Sequence, residues 1–286
     1  MFVKPFRYER VDSLRAAAEL LRSSDGYTKV IAGGQSLMPL MNLGLLELDG
    51  VIDISRVDEA RGVHLDDGSV NIGALTRHIQ LVQDPALRQR QPLLPAAARW
   101  IGSARIRSVG TLGGSLVHSD PAAELPLVMV VLGAEYTLIT ATERRVIRAD
   151  EFHLTYFTSS AGDDELLESV RVPTLGPGWG WGFAEVARRR GDFAIAAAAA
   201  LVRVADGRIV EARVALGGVH ERPLRVGAVE SSVLHASKGE LADRVGTIEG
   251  IDPASDTSAS AGHRSRLARV LTLRTLGEAI DRGEAS

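Results

Sequence analysis

The chain contains no cysteine among its 286 residues. Disulfides are therefore excluded, and so is thiolate ligation of zinc or of an iron–sulfur cluster. Such a chain suits a reducing compartment, and a cytoplasmic location is expected. Charge of one sign is also missing: 33 Lys and Arg stand against 36 Asp and Glu, a formal net charge of -3. Neither the basic footprint of a nucleic-acid binder nor a polybasic membrane patch follows. Arg188-Arg189-Arg190 is the densest basic cluster and reads as a solvated loop edge. Long apolar runs are absent as well. The stretch from Ala196 to Ala200 is far too short to span a bilayer, and Met1 to Tyr8 lacks an apolar signal core. No transmembrane segment and no signal peptide are expected.

Several catalytic patterns are missing too. No G-x-x-x-x-G-K-[ST] occurs, which excludes a P-loop, and no G-x-G-x-x-G marks a Rossmann turn. Gly34-Gln35-Ser36 and Gly113-Gly114-Ser115 begin a G-x-S-x-G, but Met38 and Val117 stand where its last glycine belongs. His118 and Asp120 are close in sequence without a third ligand at suitable spacing, so no metal site is expected.

What is present is an alternation of short strand and helix signals with 45% hydrophobic residues, ample for a buried core in two or three units. Phe6-Arg7-Tyr8 reads as a strand. Asp12 or Ser13 caps a helix whose Leu14, Ala17, Ala18 and Leu21 share one face. Lys29 to Ala32 and Val51 to Ile54 read as strands. Asp66-Asp67-Gly68 marks a hairpin, Thr76 caps a helix through Val82, and Pro92 to Trp100 is helical. Helix is expected again over Leu127 to Leu132, and strands over Glu135 to Ile139, Arg145 to Ile147 and Glu165 to Val172. Gly176 to Gly182, with Pro177, Trp179 and Trp181 between its glycines, reads as a linker. Beyond it, Phe183 to Arg188, Ala194 to Val204 and Ile209 to Leu216 form an expected antiparallel meander, with Asp206-Gly207 as a tight turn. Strand is expected for the alanine run against its helix propensity, because the turn and the β-branched residues after it fit a hairpin. Pro253 to Ser265 reads as a polar loop, and Leu267, Val270, Leu271 and Leu276 as a closing helix.

Two Gly-Gly bends carry the functional signal: Ala32-Gly33-Gly34-Gln35-Ser36 and Thr111-Leu112-Gly113-Gly114-Ser115. Each follows an apolar run and sets a hydroxyl beside backbone without a Cβ. Glycine lets neighbouring N–H groups point into one concavity, which suits a phosphate. Two such bends suit a pyrophosphate and hence a dinucleotide cofactor, with Gln35, Ser36, Thr111 and Ser115 as neutral donors and Glu124 as an acceptor for a ribose. The competing account makes each pair an ordinary tight turn and lets Asp120 cap a helix through Pro121.

The run Ala32-Gly33-Gly34-Gln35-Ser36-Leu37-Met38-Pro39, the second bend with Asp120-Pro121-Ala122-Ala123-Glu124-Leu125-Pro126, and Phe183 to Arg189 leading into Gly191-Asp192-Phe193-Ala194 resemble the flavoprotein (medium) subunit of the molybdenum hydroxylases. That family includes carbon monoxide, nicotine, quinoline and xanthine dehydrogenases. The likeness spans nearly the whole chain. It implies an α+β fold: a two-subdomain FAD-binding domain of the vanillyl-alcohol-oxidase/PCMH type over residues 1–176, with subdomains near 1–55 and 56–176. A smaller C-terminal α+β domain with a three-stranded antiparallel sheet follows over 177–286. It implies that the segment from Ala32 to Leu37 and the bend holding Thr111, Gly113, Gly114 and Ser115 grip the FAD pyrophosphate from opposite sides. It also puts Glu124 near the adenosine ribose, Ile101 near adenine, Leu166 and Leu167 near the flavin, and Phe193 against the isoalloxazine, with Asp120 among the contacts. Simple core packing is the competing role for Phe193. Gln35 replaces a histidine of some members, Ser115 stands where asparagine is usual, and Ala184 and Glu185 stand where some relatives carry a lysine.

The resemblance implies an electron-transfer subunit. A large partner would hold the molybdenum cofactor and a small one two [2Fe-2S] clusters, in a dimer of heterotrimers. This chain would take electrons into FAD and pass them to an external acceptor, with no catalytic residue acting on the organic substrate. The alternatives are a free-standing FAD oxidoreductase, for which His118 and Tyr156 are the candidate proton carriers, and an assembly subunit without flavin.

Overall fold

The structure, a computed structural model, describes residues 4–285; Met1 to Val3 and Ser286 lie outside the described residues. The first unit runs β1 (Arg7–Arg10), α1 (Leu14–Ser23), β2 (Thr28–Ile31), α2 (Leu37–Asn42) and β3 (Gly50–Asp53). Its strands form a parallel sheet in the order β1-β3-β2. Ser13 caps α1, its Oγ accepting the Ala16 N–H at 3.2 Å, and Leu14, Ala17 and Ala18 are buried as their spacing requires. The six-residue α2, which follows the first Gly-Gly bend, was not expected. Its Pro39 falls in the first turn, where a missing N–H costs nothing, and Met41 packs with Leu48 and Val51.

The second unit adds β4 (Val63–Asp66), β5 (Ser69–Gly73), α3 (His78–Gln83), α4 (Pro85–Arg90), α5 (Leu93–Ala98), α6 (Ala104–Val109), α7 (Leu112–His118) and α8 (Glu124–Leu132). It continues through β6 (Glu135–Ile139), β7 (Arg144–Arg148), α9 (Ala149–Phe152), β8 (His153–Thr155), β9 (Thr158–Ser159) and β10 (Leu166–Pro173). Five of these strands form an antiparallel sheet ordered β4-β5-β10-β6-β7. Thr76 does not cap α3. Its Oγ1 accepts from Gly62 N–H at 3.0 Å and donates to Gly62 carbonyl at 3.1 Å. The helix starts at His78. Every residue of α8 is buried, apolar all round after Glu124, and the helix packs on α5 and α7 of its own unit and on β12 and β13 of the third.

The third unit runs β11 (Trp179–Val186), β12 (Ala196–Ala205), β13 (Arg208–Gly217), β14 (Leu224–Arg225), α10 (Gly227–Ser232), α11 (Leu241–Arg244) and α12 (Ala261–Glu284). The expected three-stranded meander is present, with the two-residue β14 as a fourth antiparallel strand. The alanine run is strand because both faces are buried in register. Ala196, Ala198 and Ala200 share a core with Leu271, Leu276 and Ile280 of α12, while Ala197 and Ala199 face the core that contains α5 and α8. Small side chains let a sheet sit tightly between two helical layers, and this burial overrides helix propensity.

Two expectations fail here. The stretch Trp179 to Gly182 is not linker but the start of β11. A Cβ on Gly180 or Gly182 would run into the carbonyl oxygens of Ala279 or Thr275, so these glycines exist to bring α12 onto the sheet. Likewise, the expected loop ends early: α12 begins at Ala261, capped by Ser260 Oγ, which accepts the His263 N–H at 3.3 Å.

Candidate functional site

A Cβ on Gly33 would lie 2.8 Å from Gly110 Cα and closer still to the Val109 carbonyl oxygen. The first bend therefore presses its backbone on the residues that lead into the second. Gly34 holds φ +67°, the left-handed conformation in which glycine is favoured. Gln35 Nε2 donates back to Gly33 carbonyl at 3.0 Å. Ser36 precedes α2 without a capping hydrogen bond from its hydroxyl. Among the described residues, Gly33, Gly34, Gln35 and Ser36 donate no backbone N–H to another group of the chain.

The second bend differs from expectation. Thr111 is the N-cap of α7, and Gly113 and Gly114 lie in that helix's first turn. Its backbone donors from Leu112 to Ser115 are engaged. Leu112 N–H reaches Thr76 carbonyl at 2.9 Å and Gly113 N–H reaches Ala74 carbonyl at 2.7 Å. Gly114 N–H reaches Thr111 Oγ1 at 3.2 Å. Ser115 N–H reaches Thr111 carbonyl at 3.2 Å. A Cβ on Gly113 would lie 2.6 Å from Ala74 Cβ, so this glycine seats α7 on the end of β5. Gly114 is the open position: it is exposed, and a Cβ there would meet only Thr111 Oγ1, at 2.8 Å. The pair of bends thus offers free N–H groups on one side and clearance with hydroxyls on the other. This division was illegible in the sequence, where all four glycines look alike.

The remaining residues are spread over two cores and a cavity. Ile101 is buried in the main core, and its carbonyl accepts from Arg107 Nη1 at 2.6 Å. Asp120 Oδ1 accepts the Ala122 N–H at 2.9 Å, a turn that leads the chain into α8. Burial pushes both Asp120 and Glu124 above the usual carboxylate range, Glu124 to about 7. Leu166 and Leu167 point to opposite faces of β10, as neighbours in a strand must. Leu166 packs in the core that Ala32 borders, and Leu167 in the core of Leu112 and Ile101. The two leucines therefore do not share one surface. Phe193 is 65% exposed, which excludes core packing. It lies at the edge of a cavity of about 610 Å³ whose wall includes Asp120, Tyr156, Phe157, Arg188 and Arg264. His118 is close to Phe157, with ring centroids 5.2 Å apart, and burial lowers its pKa. The sequence reading did not single out Phe157, which holds φ +53° at the hairpin tip between β8 and β9.

A parallel three-stranded unit, an antiparallel five-stranded unit and a helix-backed sheet define a protein of α+β class. The comparisons give the family. Residues 4–175 match the pattern described as the FAD binding domain in molybdopterin dehydrogenase, and residues 181–279 match the CO dehydrogenase flavoprotein C-terminal domain. The chain is 33% identical to the glyceraldehyde dehydrogenase medium chain of Sulfolobus acidocaldarius, over 97% of this chain and 99% of that one. It is 36% identical to the nicotine 6-hydroxylase medium subunit of Paenarthrobacter nicotinovorans, over 98% and 99%. Its fold is similar to a chain of carbon monoxide dehydrogenase from Hydrogenophaga pseudoflava, with a TM-score of 0.94, 31% identity and 99% of both chains covered. The chain belongs to the FAD-binding, medium-subunit family of the molybdenum hydroxylases, which are oxidoreductases. No helix among the described residues is long and apolar enough to cross a membrane, and no group of three or more His, Asp or Glu among them could hold a metal ion.

Proposed function

We propose that this chain is the electron-transfer subunit of a heteromeric, cytoplasmic molybdenum hydroxylase. It takes electrons from the [2Fe-2S] clusters of a small partner and releases them to an external acceptor, while a large partner holds the molybdenum cofactor. The assembly we expect is a dimer of heterotrimers. FAD supplies the chemistry, because it accepts and releases electrons singly or in pairs.

The observation that carries this reading is the packing of Gly33 on Val109 and Gly110, just before the second bend, together with N–H groups at Gly33 to Ser36 that no group of the chain accepts among the described residues. In this reading the Ala32 to Leu37 loop donates backbone hydrogen bonds to the pyrophosphate. Thr111 and Ser115 add hydroxyls from the other flank, and Gly113 acts by placing them. Glu124 accepts from the adenosine ribose and Ile101 packs near adenine. Phe193 stacks on the isoalloxazine at the cavity, whose wall also includes Asp120. Leu166 and Leu167 line the flavin from two different cores. The units 1–55, 56–176 and 177–286 correspond to the two FAD-binding subdomains and the C-terminal domain.

Absorbance of the purified complex tests this. Flavin bands together with copurifying molybdenum and iron are expected, and a flavin protein free of both metals would favour a free-standing oxidoreductase. Gly114→Val is expected to remove the flavin bands, because a branched side chain would fill the exposed space beside Thr111 Oγ1, with thermal melting as the check that the variant folds. Full flavin content in that variant would refute this placement of the pyrophosphate.

A further inference from the structure

Phe193 is placed at the cavity by its backbone, because its side chain stands largely in water and has no ring contact among the described residues. Just beyond it the chain is fixed. Ala194 and Ile195 are buried, and Ile195 N–H donates to the Val186 carbonyl at 2.7 Å. The Ile195 carbonyl is taken by Arg264, from the first turn of α12.

Arg264 is buried, and its guanidinium holds two more segments. Nη1 also donates to the Gly218 carbonyl at 3.0 Å, and Nη2 to Asp256 Oδ2 at 2.6 Å. Asp256 Oδ1 in turn accepts the N–H groups of Ser258 and Ala259, at 2.7 and 3.0 Å. Gly218 holds φ +72°, and its N–H donates to the Pro121 carbonyl of the second unit at 2.8 Å. Phe193, Ile195, Gly218, Asp256, Pro121 and Arg264 itself all line the cavity of about 610 Å³. One guanidinium therefore joins three stretches of the cavity wall, around Phe193, around Gly218 and around Asp256. Through Gly218 it reaches the unit on the other side. Stability does not call for an arginine here. A buried ion pair adds little over apolar residues of the same volume, and Arg264 Nε has no partner among the described residues. What arginine supplies is geometry: a rigid planar fork whose donors leave in fixed directions.

We propose that Arg264 is a positioning residue for the flavin. By bridging the Ile195 and Gly218 carbonyls to Asp256 it fixes the stretch that carries Phe193, and so sets how firmly that ring stacks on the isoalloxazine. The proposal rests on the FAD reading above. Arg264 acts through Phe193, as a support that holds a contact residue in its working geometry.

The purified, flavin-loaded complex tests this. A flavin stacked on an aromatic side chain emits weakly, so bound-flavin fluorescence reports the Phe193 contact. Arg264→Lys keeps the charge but cannot reach three acceptors at once. Its flavin content should stay at the wild-type level, because the pyrophosphate is held elsewhere, while its bound-flavin emission rises severalfold. Phe193→Ala should raise emission by a similar factor. Arg264→Lys added to Phe193→Ala should change it no further, as expected of residues that act as one unit. Asp256→Ala frees one arm of the fork at a half-exposed partner and should shift emission the same way by less, which keeps the test open if melting shows Arg264→Lys unfolded. Hydrogen exchange of the flavin-free full chain gives a second readout: residues 191–195 should lose protection in Arg264→Lys while β13 keeps its own. Wild-type emission in the folded Arg264 and Asp256 variants, or an Arg264→Lys effect that persists in full on Phe193→Ala, would overturn the proposal. A wild-type complex without flavin would overturn the cofactor reading itself.

Discussion

Phe193 protrudes beside the cavity with about two thirds of its surface in water, although it is a large aromatic in a chain with only 5% aromatic residues. Little apolar area is lost from the folded state when it is truncated. Phe193→Ala should therefore change thermal stability by less than about 0.5 kcal/mol, while the rate of flavin reoxidation shifts by severalfold. Melting curves and stopped-flow reoxidation separate the two effects, and a large drop in stability with unchanged kinetics would refute the role. The glycines make the same point from the other side. Gly34 is required by its φ, Gly33 and Gly113 by contact between backbones, and Gly114 by neither. The bend at Gly33 and Gly34 was legible in the sequence; that Gly113 and Gly114 instead open a helix depends on contacts with distant segments.

At the scale of elements, the most informative contact is α12 on the third sheet. Gly180 and Gly182 alternate with Trp179 and Trp181, so the glycines form one face of β11 and the indoles the other. Arg282, near the end of α12, stacks over Trp181 at 3.8 Å and donates from Nη1 to that residue's carbonyl. Gly180→Ala should destabilise the protein by about 2 kcal/mol or more, because backbone rather than a flexible side chain blocks the added methyl. Gly176→Ala, where the same methyl meets nothing within 4 Å, should be near neutral and serves as the control in the same denaturation series. The Gly-Trp pattern looked like a linker because local composition cannot reveal a helix arriving from a hundred residues further along. The alanine strand was legible for the opposite reason: its turn and its β-branched partner strand are local.

For the whole molecule, the buried carboxyls make stability depend on pH. Glu124 and Glu185 sit at about 7 and about 8 when folded, above the ordinary glutamate value of 4.5. The folded state therefore binds more protons than the unfolded state between those limits, and stability falls as pH rises through them. Each group should contribute a slope of roughly 1 kcal/mol per pH unit within its window in the flavin-free chain. A double variant, Glu124→Gln with Glu185→Gln, should flatten that slope in urea denaturation between pH 5 and pH 8, and an unchanged slope would refute it. Asp53 works in the other direction. Burial pushes it up, but hydrogen bonds from Ser55, Tyr8 and Arg10 outweigh this and hold it at about 2. Its stabilisation of the first sheet is present above the unfolded carboxylate value and is lost only as pH falls towards 2.

Sequence alone determined the absence of disulfides, the α+β class, most strands and the first bend, because composition, periodicity and glycine chemistry are local properties. It also carried the family resemblance, since ordered motifs survive without any coordinates. Tertiary structure alone decided that the first bend packs on Val109 and Gly110, that Leu112 to Ser115 have their N–H groups engaged while Gly33 to Ser36 do not, and that Phe193 faces solvent. It alone brought Glu124 and Glu185 together across two units. Each of these depends on contacts between segments tens of residues apart, and such contacts leave no periodic trace in the chain.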